Sequence, residues 1–214
     1  MVTAASDMAQ LRRLWKLAFG DTDAFLDSFF STAFSPDRHL SIRLEDTVAA
    51  ALYWFDCEYQ GRKAAYVYAV ATHPNFRGRG LCRQLMGKTH DLLKAQGYEA
   101  VLLVPQDEGL RKMYAAMGYQ DATSVSEFSC DAAQAVALSE VNGQEYAALR
   151  RKFLPEGGVV QEGENFRFLS TYARFYAGAD FVAAVSGEQI IELLGNRNAA
   201  AGILGTLGKA SDYE

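Results

Sequence analysis

Long basic runs, long apolar runs and regularly spaced cysteines are all missing from this chain of 214 residues. With no Lys/Arg-rich stripe and a formal net charge of −5, it lacks the electrostatic footprint of a nucleic-acid-binding protein. No apolar stretch is long enough to span a bilayer, so no membrane partner is expected. Cys57, Cys82 and Cys130 are odd in number and scattered, with neither metal-ligand spacing nor a disulfide framework. They imply no metal and a reducing compartment. The N-terminus has no basic region leading into an apolar run, so no signal peptide is expected. Together these absences point to the cytoplasm. Two phosphate motifs are absent as well. There is no Gly-Lys-Ser/Thr, which excludes the NTPase P-loop. The dinucleotide fingerprint needs a third glycine where Arg83 stands.

What is present is the balance of a soluble globular chain, 50% hydrophobic and 22% charged, with 13 Phe and 11 Tyr. The mild acidity favours encounter with cationic substrates such as amines. Leu11, Leu14, Trp15, Ala18 and Phe19 recur at helical spacing up to Gly20. Asp21 or Thr22 can cap a second helix carrying Phe25, Phe29, Phe30 and Ala33, which stops before Pro36. His39 to Glu45, Val48 to Phe55 and Ala64 to Thr72 are expected as an antiparallel meander, with a turn at Gln60-Gly61-Arg62. A helix from about Leu81 to Gln96 then leads to a short strand, Ala100 to Val104. A connecting helix makes that strand parallel to the one ending at Thr72. A further helix covers about Glu108 to Met117.

The turn Arg77-Gly78-Arg79-Gly80-Leu81-Cys82 lies between strand and helix. Its glycines permit positive φ and close backbone approach. The helix that follows offers unpaired N–H groups and a partial positive charge, a ready anion site. Arg77 and Arg79 add charge that can pair with phosphate. Glycine spacing alone would also suit an ordinary tight turn.

The stretch VYAVATHPNFRGRGLCRQLM resembles motif A of the GNAT acyltransferase superfamily, Arg/Gln-x-x-Gly-x-Gly/Ala. Arg77, Gly80 and the helix start match, while Cys82 stands where the family has glycine or alanine. Met113-Tyr114-Ala115-Ala116-Met117-Gly118-Tyr119 resembles the family's Leu-Tyr-x-x-x-Gly-Phe, and Asp107 lies where many members have asparagine. The resemblance covers roughly Leu11 to Gln120. It implies an α/β fold, a mixed twisted sheet flanked by helices, and acetyl-coenzyme A as co-substrate. Its implied coenzyme-binding residues are Val70, Ala71 and Thr72 on the strand and Arg77, Gly78, Arg79, Gly80, Leu81, Cys82 and Arg83 at the turn. The strand is expected to splay from Val101–Val104 to admit the pantetheine arm.

Tyr114 is the expected catalytic residue, a phenol acting as general acid toward the departing thiolate. Leu110, Met113, Tyr114 and Met117 equally form an apolar helix face, which would make Tyr114 a core residue. Cys82 could be proposed as nucleophile, but the pyrophosphate would occupy its place. Asp56, Glu58 and His73 are candidates for a base, and His73 is more simply structural. Tyr66 and Tyr68 stand where many members carry a carboxylate.

Residues 125–214 carry no such equipment and are expected as a smaller, non-catalytic lobe beside a 1–124 acyltransferase domain. Helices are expected at Glu145–Phe153, Phe166–Phe175 and Asn198–Leu207, and a hairpin at Phe181–Val185 and Ile190–Leu194. Arg150-Arg151-Lys152 is expected to be a solvated helix face. VLLVPQDEGLRKMYAAMG (Val101 to Gly118) aligns without gaps on IELLGNRNAAAGILGTLG (Ile191 to Gly208), either by coincidence or because the lobe is an altered, degenerate copy of the first domain. Such a lobe could close the acceptor cleft, extend the sheet or form a homodimer interface. The expected activity is direct acetyl transfer to a primary amine, on a small molecule or a peptide. The alternative is a coenzyme A-binding sensor or assembly module. Aminoglycosides, polyamines, amino acids and protein N-termini all remain open as acceptors.

Overall fold

The computed structural model of the chain describes residues 2–3, 8–161 and 163–209. Two compact units are distinguished, Met1–Asp121 and Ala122–Glu214.

The first unit begins with β1 (Val2–Thr3), α1 (Met8–Phe19) and α2 (Asp23–Thr32). Of the two possible caps, Thr22 takes the role, its hydroxyl accepting from Phe25 N–H at 3.2 Å. Asp21 instead accepts from Trp15 Nε1 at 2.7 Å. The meander follows as β2 (His39–Leu44), β3 (Thr47–Tyr59) and β4 (Arg62–Thr72). Gln60 and Gly61, at φ 52° and 73°, form the tight hairpin between the last two. Then come α3 (Leu81–Ala95), β5 (Ala100–Leu102) and α4 (Glu108–Ala115). The strand order is β1-β2-β3-β4-β5, antiparallel except for the parallel β4–β5 pair. The sheet is therefore mixed and has helices on both faces. Leu11 and Leu14 of α1 pack with Val48, Ala51 and Ala71 on one face. Leu81, Leu85, Met86 and Leu93 of α3 pack with Leu52, Trp54, Ala65 and Val67 on the other.

One feature of β4 was not anticipated. Ala71 pairs with Ala51 and Tyr68 with Tyr53, so Ala69 and Val70 together oppose the single residue Leu52. This is a β-bulge, and Ala69 sits at φ 49°. It shifts the alternation: Val67 and Val70 face α3, whereas Tyr68 and Ala71 face α1.

The second unit contains β6 (Ser139–Val141), α5 (Gly143–Phe153), β7 (Val159–Gln161), α6 (Glu164–Leu169), β8 (Arg174–Ala177), β9 (Phe181–Ser186), β10 (Gln189–Gly195) and α7 (Ala199–Leu207). Strands β6 and β7 were not expected. The helix expected through Phe175 ends at Leu169, and Arg174–Ala177 pairs as a strand with β9. Of the last six residues only Lys209 is described, and its Nζ donates to Glu188 at 3.0 Å.

The sheet order β10-β9-β8-β6 is antiparallel throughout. Helices α5 and α6 lie between β6 and β8 in the chain, as α1 and α2 lie between β1 and β2, and α7 follows β10 as α3 follows β4. The layering also matches, with Tyr146 and Phe166 of α5 and α6 on one face and Ala199 and Ile203 of α7 on the other. Even the bulge recurs: Ile190 pairs with Val185 and Glu192 with Ala184, leaving Ile191 extra. The gapless sequence alignment is thereby corrected by one strand–helix step. It matched β10-α7 to β5-α4, but the antiparallel pairing of β10 puts β10-α7 in the topological place of β4-α3.

Helix α7 packs tightly against the segment before β6. A Cβ added at Gly205 would lie 1.9 Å from the Ala133 carbonyl oxygen, and one at Gly202 would lie 2.3 Å from Val136. Thr206 Oγ1 accepts from Val136 N–H at 2.9 Å. Gly205→Ala is expected to destabilise the chain by about 1–3 kcal/mol, because backbone rather than a flexible side chain must move. Urea unfolding of Gly205→Ala against wild type measures it, and an unchanged midpoint would show that the segment yields freely.

Candidate active site

The turn at Arg77 to Cys82 has the geometry expected of it. Gly78 and Gly80 sit at φ 76° and 73°, and a Cβ on either would meet nothing within 4 Å. The space above them is open. Gly80 is the N-cap of α3, and no side chain caps that helix. The first intrahelical bond runs from Gln84 N–H to Gly80 O at 3.0 Å. The N–H groups of Leu81, Cys82 and Arg83 precede it, and so have no partner within the helix. Their dipoles favour a negative charge.

The arginines of this turn divide their work. Arg77 Nε donates to Thr72 O at 3.4 Å, and its side chain is otherwise exposed. Arg79 lies over the Phe76 ring at 5.2 Å, also exposed. Arg83 Nη1 instead donates to the Ala116 carbonyl at 3.3 Å, tying α3 to the end of α4.

Beside the turn, β4 and β5 separate. Their pairing covers Ala64–Tyr66 against Ala100–Leu102, and β5 ends there, two residues before the expected Val104, which is exposed. Val67 to Thr72 therefore run past the end of the parallel pairing. Val70, Ala71 and Thr72, three of the expected coenzyme-binding residues, lie in this stretch after the bulge. Open strand backbone and the α3 N-terminus thus follow one another in the chain. A pyrophosphate on an extended amide arm suits that pair of features.

Tyr114 lies on α4, which Asp107 caps by accepting from Leu110 N–H at 2.7 Å. It is 7% exposed and packs in the same cluster as Leu81 and Leu85, with the half-buried Cys82 against that cluster. Its ring meets Tyr119 edge-on at 5.7 Å. Burial pushes its phenol up to about 12, so it keeps its proton. Tyr119 in turn shares a 2.8 Å hydrogen bond with His90 Nε2. Burial also raises the Cys82 thiol, which opposes a thiolate nucleophile there.

None of the three candidate bases stands ready. Asp56 is held by Arg38 at 3.3 Å and accepts from Tyr98 Oη. Glu58 lies opposite Lys63 across the hairpin. The Nδ1 lone pair of His73 accepts from Asn75 N–H at 3.3 Å, closing the short turn before Arg77. His73 is thus a structural cap. The α1 face of the sheet carries rings instead. His39, Tyr53 and Tyr68 form one cross-strand row ending at the bulge, with Tyr66 and Phe55 beside it.

In the second unit the loop corresponding to His73–Gly80 is only Asn196–Asn198, with no glycine pair. Arg150, expected in solvent, is buried: its Nε and Nη2 donate to Glu192 at 2.8 and 2.9 Å, and its Nη1 donates to Val159 O at 2.8 Å. Tyr146 donates to the same carboxylate. Arg151 and Lys152 are exposed. Helix α5 presents Tyr146 and Arg150, one turn apart, toward its sheet, so a charged triplet in sequence places its first member inside.

Among the described residues no three His, Cys, Asp or Glu side chains form a metal-binding group, and no helix is long and apolar enough to cross a membrane. A family model for an acetyltransferase (GNAT) domain matches residues 2–122. No curated protein matches the chain. Among solved structures, a GCN5-related N-acetyltransferase from Kribbella flavida is similar, at 18% identity and TM-score 0.69, over 99% of this chain and 62% of that one. Eis1 from Mycobacterium abscessus is similar at 14% identity and TM-score 0.67, over 99% and 64%. A GCN5-related N-acetyltransferase from Anabaena variabilis is similar at 16% and 0.68, over 99% and 64%. At such identities the likeness is one of fold, and the chain spans less than two thirds of these structures' length.

Proposed function

The chain belongs to the GNAT acetyltransferase family through residues 2–122, and from that premise we propose that its first unit transfers an acetyl group from acetyl-coenzyme A directly to a primary amine. The observation that carries this reading is the uncapped start of α3 behind two glycines of positive φ, next to a strand that has parted from its parallel neighbour. Val70, Ala71 and Thr72 would hold the amide arm, and the N–H groups from Gly78 to Arg83 the pyrophosphate, with Arg77 and Arg79 adding charge. Arg83 serves through its backbone, since its side chain is committed to α4. Cys82 turns its side chain to the core, which leaves its N–H free for phosphate despite the departure from the family pattern.

Bound acetyl-coenzyme A supplies an acetyl thioester that an amine can attack with release of a thiolate. Tyr114 holds a proton at its Oη at every pH where an amine is nucleophilic, because burial keeps the phenol neutral. It would give that proton, or a hydrogen bond, to the developing sulfur charge. With Asp56, Glu58 and His73 otherwise engaged, the amine would arrive already deprotonated or lose its proton to water.

The second unit is read as an altered, truncated copy that lacks the cradle and does no chemistry. Calorimetry with acetyl-coenzyme A and thiol release across an amine panel test the whole reading. Gly80→Val is expected to weaken acetyl-coenzyme A binding about 10- to 100-fold. A β-branched residue is strained at that φ and fills the space above the turn. No binding by wild type at millimolar coenzyme would end the proposal. Binding without thiol release from any amine would favour a sensor.

A further inference from the structure

The face of the sheet toward α1 and α2 says what kind of amine the first unit is built to receive. Tyr66 and Tyr68 immediately precede the bulge, are half-buried, and lie 6.2 Å apart between ring centres. Phe55 stacks on Tyr66 at 6.5 Å and lies 5.4 Å from Tyr68. Behind them Trp15 and Phe29 approach Tyr68 at 5.8 and 6.0 Å. This is a continuous aromatic wall.

The wall carries little negative charge to hold a polycation. Of the carboxylates on the elements that form it, Asp21 is bound to Trp15, Asp23 to Lys16, Asp27 to Arg12 and Asp56 to Arg38, and Glu58 lies opposite Lys63. Two buried polar atoms on this face have no hydrogen-bond partner among the described residues, Tyr53 Oη and His39 Nε2, and both are uncharged. His39 is held neutral by burial, with its Nδ1–H donating to Pro36 O at 3.1 Å. The formal charge of −5 is carried elsewhere than on this wall.

We propose that the acceptor is a primary amine on an aromatic body, such as an arylalkylamine, stacked against Tyr66 and Tyr68 with its amino group at the bulge of β4. This rests on the acetyl-transfer reading above. Ring stacking is worth enough per pair to separate an aromatic from an aliphatic amine of equal length by about tenfold.

The test compares 2-phenylethylamine, n-hexylamine and spermidine by thiol release at fixed acetyl-coenzyme A. The wild-type protein is expected to show a kcat/KM for phenylethylamine at least tenfold above the other two. Tyr66→Ala and Tyr68→Ala are expected to raise its KM about fivefold or more and to leave acetyl-coenzyme A affinity unchanged, while Tyr68→Phe retains the preference. The wild-type comparison requires no variant, so it stands even if an alanine substitution unfolds the chain. Equal or better use of hexylamine or spermidine overturns the inference and leaves acetyl transfer standing. Silence on every amine overturns both.

Discussion

Tyr114→Phe is expected to lower kcat by roughly 10²–10³-fold while changing the acetyl-coenzyme A dissociation constant less than threefold. The substitution removes one oxygen and keeps the ring, so its packing with Leu81, Leu85 and Tyr119 survives. No hydrogen bond from another side chain to Tyr114 Oη is lost among those described, so the fold gains no orphaned partner. What disappears is the proton available to a developing thiolate. A thiol's reference pKa is about 8.5 and a phenol's about 10. With the Tyr114 phenol raised to about 12, full transfer would be uphill, so the phenol would act chiefly as a hydrogen-bond donor to a charge that exists only late in the reaction. The same shift fixes the pH behaviour: burial disfavours the phenolate, so activity is expected not to fall from Tyr114 ionisation between about pH 7 and 10. Steady-state kinetics with calorimetry decide the matter. A kcat within threefold of wild type would reduce Tyr114 to a core residue.

The second large effect is expected in the other unit. Glu192→Ala strands the Arg150 guanidinium, whose side chain is 9% exposed, without its counter-charge. Removing one partner of a buried pair costs roughly 3–5 kcal/mol, a large share of a domain's stability. The lower end is expected here, because the Glu192 side chain keeps 28% exposure and water can reach part of the gap. The double variant Arg150→Met, Glu192→Leu is expected to recover most of the loss, since no charge is then left buried. Urea titrations of the wild type and both variants distinguish this from an exposed pair. If Glu192→Ala cost under 1 kcal/mol, the pair would be behaving as a surface salt bridge.

The reach of the sequence can be judged from these sites. The turn at Gly78 and Gly80, the helix it opens and Tyr114 were legible because glycine, motif spacing and amphipathic period each leave a local mark. The bulge at Ala69 leaves none. The run AAYVYAVAT is buried on both faces, so its alternation has no visible phase and a slip by one residue cannot be seen. Arg150 was misplaced for a related reason. A triplet of cations looks solvated, and the partner of Arg150, Glu192, is distant in sequence and lies on β10 rather than on the same helix. The end of the helix at Leu169 was missed because aromatic residues serve helix and strand alike in a short apolar run. The two units resemble each other in topology, yet their sequences suggested the wrong pairing of segments, since strand–turn–helix patterns recur within one copy.

The extra residue in β4 has a consequence of its own. A strand with strict alternation would send every second side chain to the same side from end to end. Here the count slips at Ala69, and everything downstream is turned over by half a step. Were Ala69 kept but held in strict alternation, Val70 would fall on the aromatic side and Ala71 on the α3 side, and the chain would reach Arg77 facing the other way; the bulge prevents that. One residue of length thus acts as a reading frame written in space, deciding which side of the sheet each later side chain of the strand meets.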